Sequence, residues 1–101
     1  MPAHFTSGNW LVREGSEEAF IEAWTAFTDW SRENAAGAKE FVLIRSESEP
    51  RAFVSFGEWD STESAYAWRD MPEFPELLGR CRALCDEFEA NDYTQAAAVG
   101  R

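Results

Sequence analysis

The chain has 101 residues, of which 45% are hydrophobic and 15% aromatic, so it can bury one core but is short for two domains. Its 19 acidic and 9 basic residues give a net charge of −10, which repels nucleic acid and anionic membrane surfaces and excludes both as expected partners. No apolar run approaches the ~20 residues of a membrane span, and the N-terminal segment does not resemble a signal peptide. We therefore expect one cytoplasmic domain over residues 1–101.

The first predicted elements are a strand and a long helix. Residues 4–13 alternate loosely between apolar and polar side chains and are followed by Gly15, as in a strand that ends at a turn. Ser16 is expected to cap a helix that runs to about Asn34 and stops before Gly37. One face of this helix carries an apolar residue every three or four positions: Phe20, Trp24, Phe27 and Trp30.

The middle of the chain predicts a β-hairpin and a second helix. Residues 40–47 and 51–59 are rich in β-branched and aromatic side chains, and the polar segment between them is expected to fold one back on the other. Asp60 and Glu63 have the spacing of a capping box, so the second helix is expected to begin at residue 61. It carries Tyr66, Trp68 and Arg69.

The last part of the chain predicts a third helix and a short final strand. Pro72 and Pro75 break the second helix, and residues 92–99 have the composition of the strand. Between them, apolar residues repeat at helical spacing up to about Ala90: Phe74, Leu77, Leu78, Cys81, Leu84, Cys85 and Phe88. The order of elements predicts an α+β fold, the ferredoxin-like split βαβ arrangement, with an antiparallel sheet and helices on one face.

The first strand is apolar on both of its sides. Phe5, Asn9 and Leu11 share one side, and His4 and Trp10 share the other. A sheet that is apolar on both faces but has helices for only one needs a second covering layer. A face-to-face homodimer is the simplest source of that layer, and we expect Trp10 to lie in or near its interface.

Three segments resemble a known family in their order and spacing. They read "SGNWLVREGSEEAFIEAW", "FVSFGEWDSTESAYAW" and "MPEFPELL", and they are similar to the antibiotic biosynthesis monooxygenase superfamily over almost the whole chain. The resemblance implies a ferredoxin-like α+β domain that forms a dimeric α/β barrel. That superfamily includes enzymes that oxidise aromatic phenols or quinols with dioxygen and no cofactor, heme-degrading monooxygenases, and members with no known reaction.

The heme-degrading branch is similar in detail but differs at one position. Asn9 and Trp68 match the pocket Asn and Trp of that branch, whereas the position of its axial His is Leu78. Leu cannot ligate iron, and His4, the only His, has the opposite strand parity to Asn9. We therefore expect Asn9 to face the helices, His4 to face the dimer interface, and the protein to use no cofactor and no metal.

The resemblance also implies a pocket for a small aromatic molecule. Asn9 and Trp68 are the expected catalytic residues, because an amide and an indole N–H can each donate to a substrate oxygen. The expected substrate-binding residues are Phe20, Trp24, Phe27, Tyr66, Arg69, Phe74 and Leu78. The predicted function is cofactor-independent oxidation of a phenolic or quinol-type substrate with dioxygen. The alternative is a non-catalytic module of the same fold that binds an apolar metabolite.

Overall fold

The computed structural model describes residues 2–100, which form one four-stranded antiparallel sheet and three helices. Strands β1 (His4–Val12), β2 (Ala38–Arg45), β3 (Ala52–Trp59) and β4 (Cys85–Thr94) lie in the order β2, β3, β1, β4. Helices α1 (Glu17–Asn34), α2 (Thr62–Arg69) and α3 (Phe74–Arg82) cover one face of the sheet. The predicted α+β ferredoxin-like fold is confirmed.

Helix α2 begins one residue later than predicted, and its cap differs. The hydroxyl of Ser61 accepts the backbone N–H of Ser64 at 3.1 Å, so Ser61 is the capping residue. Asp60 instead accepts the hydroxyl of Ser64 at 2.7 Å and makes no capping box with Glu63. At the start of α1, Ser16 occupies the capping position without a side-chain hydrogen bond.

The predicted third helix is too long, and the predicted last strand is displaced. Helix α3 ends at Arg82, so Cys85 and Phe88 lie in β4, which pairs with β1 from one end to the other. The local helical spacing is overridden because β1 lies between β3 and β4 and needs a hydrogen-bonding partner on each edge. The predicted strand over residues 92–99 is wrong beyond Thr94, since residues 95–100 belong to no strand.

The side-chain directions of β1 are the reverse of those predicted. His4 and Trp10 are buried beneath the helices, while Asn9 is exposed on the opposite face. The reason is packing: the Trp10 ring fills the space between Phe20 and Phe88, with ring centroids 5.1 and 4.1 Å away. The amide of Asn9 would lose its hydration in the core, so its free energy is lower on the solvated face. The prediction that Trp10 lies in a dimer interface is therefore wrong.

None of the helices that the structure describes lies on the second face of the sheet, which we call the uncovered face. Its apolar side chains come from all four strands: Phe5, Leu11, Val42, Ile44, Val54, Phe56 and Tyr93. Ile44 is 51% exposed and Tyr93 53% exposed. The sequence prediction of a sheet that is apolar on both faces matches these positions.

Within residues 2–100, no helix is both long enough and apolar enough to cross a membrane. The cytoplasmic location remains a prediction.

Candidate functional site

A cavity of about 240 Å³ lies between the sheet and the helices. Its wall includes Trp24, Phe27, Phe41, Trp68, Phe74 and Leu78. An apolar cavity of about 150 Å³ can bind benzene, so this one suits an aromatic molecule of one or two rings.

The part of the sheet beneath the cavity, which we call the cavity floor, consists of four small residues. They are Thr6 and Gly8 of β1 and Ser55 and Gly57 of β3. Thr6 pairs with Gly57 and Gly8 pairs with Ser55, so each hydroxyl lies opposite a glycine across the two strands. The floor therefore alternates hydroxyl groups with bare backbone.

The two glycines of the floor allow aromatic rings to lie directly over the strands. A Cβ atom on Gly8 would lie 2.6 Å from Nε1 of Trp10, and one on Gly57 would lie 2.6 Å from Cε2 of Phe41. Real Cβ atoms essentially never approach another heavy atom that closely. Any larger residue at either position would therefore displace an aromatic ring of the cavity.

Both floor hydroxyls accept hydrogen bonds from buried tryptophans. The indole N–H of Trp10 donates to Oγ of Ser55 at 3.0 Å, and that of Trp59 donates to Oγ1 of Thr6 at 3.2 Å. Among the described residues, neither hydroxyl donates its own proton to a protein acceptor. Each hydroxyl can therefore turn its proton toward a ligand, and the indole donor behind it strengthens that donation.

Trp68 contributes its ring to the cavity but not its N–H group. Its indole N–H donates to Oγ of Ser31 at 2.8 Å, and Ser31 in turn donates to the carbonyl of Phe27 at 2.8 Å. The ring stacks on Phe27 at 5.5 Å and meets the edge of Phe74 at 4.7 Å. The predicted hydrogen bond from Trp68 to a substrate oxygen is therefore wrong, because the donor is already bonded inside the protein.

The structure brings most of the predicted site residues together at the cavity. Those that line it are Trp24, Phe27, Trp68, Arg69, Phe74 and Leu78. Phe20 does not, because it is buried deeper against Phe53. Tyr66 is 54% exposed, since residues two positions apart on a helix point to nearly opposite sides and Trp68 faces inward. Asn9 lies on the uncovered face, so its expected place beside Trp68 is wrong.

Sequence reasoning missed the cavity floor. Thr6, Gly8, Ser55 and Gly57 are small residues that any strand tolerates, and their meaning depends on the register between β1 and β3. The available signal was the alternation of Ser55 and Gly57 with large apolar residues in β3, where each small residue leaves room for a ring.

Arg69 places a positive charge at the cavity, and a hydrogen bond to Asp92 fixes its guanidinium. Nη2 of Arg69 donates to Oδ1 of Asp92 at 2.6 Å, and Nε2 of His4 bonds the same oxygen at 2.9 Å. Burial tends to raise the pKa of Asp92, but the hydrogen bonds from Arg69 and His4 outweigh burial and lower it. Asp92 is therefore ionised at neutral pH.

The two cysteines lie outside the cavity wall and are poor nucleophiles. Burial, reinforced by the neighbouring Cys85, raises the pKa of Cys81 to about 12. Burial and the charge of Asp86 raise the pKa of Cys85 to about 11, although Arg13 acts in the opposite direction. Both thiols are therefore protonated at neutral pH. No three His, Cys, Asp or Glu side chains of residues 2–100 group as metal ligands.

Solved structures share this fold at low sequence identity. SnoaB, a cofactor-independent oxygenase from Streptomyces nogalater, superposes in a mutant form with a TM-score of 0.91 at 15% identity, covering 100% of both chains. A conserved protein of unknown function from Bacteroides thetaiotaomicron gives a TM-score of 0.82 at 19% identity, covering 93% of this chain and 98% of that one. A candidate antibiotic biosynthesis monooxygenase from Nitrosomonas europaea gives 0.82 at 19% identity, covering 97% and 94%.

Sequence comparison identifies the family. No curated protein matches the chain. The family model described as antibiotic biosynthesis monooxygenase matches residues 7–78, which is well over half of the sequence and includes Gly8, Ser55 and Gly57 of the cavity floor. The chain therefore belongs to the antibiotic biosynthesis monooxygenase family.

Proposed function

We propose that the protein is a cofactor-independent monooxygenase that oxidises a small phenolic or quinol-type aromatic molecule with dioxygen. The observation that carries the proposal is the pair of floor hydroxyls, Thr6 and Ser55, each polarised by an indole N–H and each able to donate a proton. The family and the fold shared with SnoaB support it as well.

The floor hydroxyls suit an electron-rich oxygen of the ligand. A phenolate is itself the electron donor to dioxygen, so the protein needs to favour the anion rather than to supply a redox group. O–H donors that line the same cavity would stabilise a phenolate oxygen more than a phenol oxygen, because hydrogen bonds to an ionised acceptor are stronger. They would therefore lower the pKa of a bound phenol and raise the fraction that can react.

The proposed reaction balances without another co-reactant. A phenol with a hydrogen on the para carbon becomes a quinone. One oxygen atom of dioxygen becomes the new carbonyl oxygen, and the other leaves as water with the hydroxyl proton and the ring hydrogen. The role of the aromatic wall is to orient the ring over the floor and to exclude bulk water. Asn9 has no part in this proposal, because it lies on the other face of the sheet.

A second candidate is a binding module without catalytic activity. It is favoured by the composition of the cavity lining. Within the part of the chain that the structure describes, the lining contains hydroxyls and one Arg but no carboxylate or imidazole that could act as a general base. A ligand that binds as an anion needs no general base. Both candidates therefore predict binding of the same kind of ligand, and only the monooxygenase predicts that the ligand is oxidised.

Oxygen uptake separates the two candidates. We expect the protein to accelerate the consumption of dioxygen in the presence of one- and two-ring phenols or hydroquinones, measured with an oxygen electrode. With ¹⁸O₂, mass spectrometry should detect one labelled oxygen atom in the product. Thr6→Val should lower kcat by about tenfold or more, because one donor to the developing oxyanion is lost. Saturable binding without oxygen consumption would instead support the binding module.

Thr6→Ser is the matched control for that variant. It retains the hydroxyl and the acceptor for Trp59, so kcat should stay within about threefold of the wild-type value. Thermal melting of both variants checks folding, since Thr6→Val also leaves the buried N–H of Trp59 without an acceptor. Equal rates for Val and Ser at this position would contradict a catalytic role for the floor.

We also propose that two copies pair through their uncovered faces. The apolar side chains there come from every strand, and monomeric proteins rarely expose a contiguous apolar surface of this kind. Solution mass measured by light scattering should therefore correspond to a dimer at micromolar concentration.

Heme is not the expected ligand, because the position of the axial His in the heme-degrading branch is occupied by Leu78, which lines the cavity. His4 is buried and bonded to Asp92 and does not line the cavity. Added hemin should produce no saturable Soret shift of the kind that an axial His gives. Stoichiometric binding followed by ring opening with a reductant would contradict this expectation.

A further inference from the structure

Four side chains form a continuous hydrogen-bonded chain from the start of α2 to the cavity. Oγ1 of Thr62 lies 3.2 Å from Nδ1 of His4, and Nε2 of His4 lies 2.9 Å from Oδ1 of Asp92. The same oxygen of Asp92 accepts from Nη2 of Arg69 at 2.6 Å. The chain joins β1, β4 and both ends of α2.

The hydrogen bonds define the tautomer of His4. An ionised carboxylate can only accept, so Nε2 of His4 carries the proton that is donated to Asp92. In the neutral ring Nδ1 is then the acceptor, and the hydroxyl of Thr62 donates to it. His4 is 5% exposed, and the ring of Tyr66 packs edge-on against its imidazole, with the ring centroids 6.4 Å apart. The buried N–H of His4 therefore fixes the position of the Asp92 carboxylate.

Among residues 2–100, Arg69 is the only charged side chain that lines the cavity. The chain has 19 acidic residues against 9 basic ones, yet the described residues contribute no carboxylate to the lining. An Arg has five N–H donors, and one hydrogen bond to Asp92 leaves others for a ligand. Its guanidinium also lies 5.7 Å from the ring centre of Tyr66, which further limits its motion.

We propose that Arg69 recognises an anionic group on the ligand, that Asp92 and His4 are positioning residues for Arg69, and that the cavity consequently selects aromatic carboxylates. This inference rests on the proposed function, since it requires the cavity to bind an aromatic molecule. The ring would lie among the aromatic wall residues, with its carboxylate at Arg69 and any phenolic oxygen at the floor. A guanidinium pairs with a carboxylate through two parallel hydrogen bonds, which fixes the orientation of the ring as well as its affinity.

A matched pair of probes tests the preference for an anion. We use 2-naphthoate and 2-naphthamide, which have the same ring and nearly the same shape but differ in charge at pH 7. Isothermal titration calorimetry with the full chain should show that naphthoate binds at least about tenfold more tightly. Arg69→Gln should remove this preference while naphthamide binding changes little.

Variants of Asp92 distinguish positioning from simple neutralisation of charge. Asp92→Ala removes the group that holds Arg69, so naphthoate affinity should fall toward that of naphthamide. If Asp92 only neutralised Arg69, the same variant would free its charge and strengthen naphthoate binding, which would overturn the positioning role. Asp92→Asn retains an oxygen acceptor for Arg69 and should preserve most of the preference. His4→Phe, which cannot donate to Asp92, should lower the preference partly.

Arg80→Gln is the control for the loss of a positive charge. Arg80 lies on α3, is exposed and pairs with Glu76, and it does not line the cavity. The preference for naphthoate should be unchanged in this variant, and thermal melting confirms that each variant is folded.

The outcomes separate this inference from the proposed function. Binding of neither probe would show that the cavity is not an aromatic site, and both proposals would fail. Equal binding of the two probes, or a preference that persists in Arg69→Gln, would overturn only this inference. A preference that disappears in Arg69→Gln and Asp92→Ala but persists in Arg80→Gln and Asp92→Asn supports it.

Discussion

Trp68→Ala should lower the free energy of unfolding by about 3 to 5 kcal/mol, as expected for truncation of a buried large aromatic side chain. Trp68 is 7% exposed and lies between Phe27, Phe74 and Trp59, with the Trp59 ring centre 4.8 Å away. The substitution also removes the hydrogen bond to Ser31. Urea denaturation followed by circular dichroism measures the loss, which should appear as a lower midpoint.

Two further variants identify the source of that loss. Tyr66→Ala, two residues earlier on the same helix, removes a large ring that is 54% exposed and should cost about 1 kcal/mol or less. Trp68→Phe retains an aromatic ring and loses only part of the packing and the N–H donor, so it should fall between the two. A Trp68→Ala variant as stable as Tyr66→Ala would mean that the ring is not part of the core. Ligand affinity is best compared in Trp68→Phe.

Ile44→Glu should convert the proposed dimer to a monomer. Ile44 lies on β2 in the uncovered face, where a two-fold dimer would bury two copies of the new carboxylate without partners. Several kcal/mol of lost association energy corresponds to a dissociation constant at least about a hundredfold higher. Analytical ultracentrifugation over a range of concentrations measures the shift.

Ala26→Glu is the control for the dimer prediction. It adds the same charge on the exposed side of α1, away from the uncovered face, and should leave association unchanged. Trp10→Glu does not test the dimer, although the sequence predicts Trp10 at the interface. Trp10 is buried against Phe20 and Phe88, and its replacement would unfold the core. A dimer that survives in Ile44→Glu would indicate association through another surface.

The fold was predictable from sequence because its elements are marked locally. The helical repeat of Phe20, Trp24 and Phe27 and the hairpin around residues 46–50 depend on neighbours in sequence. The end of α3 was not predictable in this way. The pattern of Leu84, Cys85 and Phe88 fits a helix, and only the pairing of the chain from Cys85 onward with β1 makes that segment a strand.

The cavity wall was predicted better than its polar groups. Large aromatic side chains on the inner faces of helices must pack together. The helical periodicity therefore predicts that Trp24, Phe27 and Phe74 line the interior. The direction of Asn9 was not, because β1 has apolar residues on both sides and a shift of one position exchanges its two faces. The hydrogen bonds from the indole N–H groups of Trp10, Trp59 and Trp68 to hydroxyls join two strands or two helices that are distant in sequence, which no local pattern reveals.

The alternation of glycines and hydroxyls in the floor also determines how such a scaffold could evolve toward a new substrate. A side chain at Gly8 or Gly57 would overlap an aromatic ring, and a substitution that removes the hydroxyl of Thr6 or Ser55 would leave a tryptophan N–H without its acceptor. Such changes in the sheet therefore need a second, compensating mutation. Substitutions of Leu78 or Phe74 change the shape and the apolar packing of the wall without removing a hydrogen-bond acceptor. Adaptation is therefore expected to proceed by single steps on the helices, while the sheet retains its chemistry.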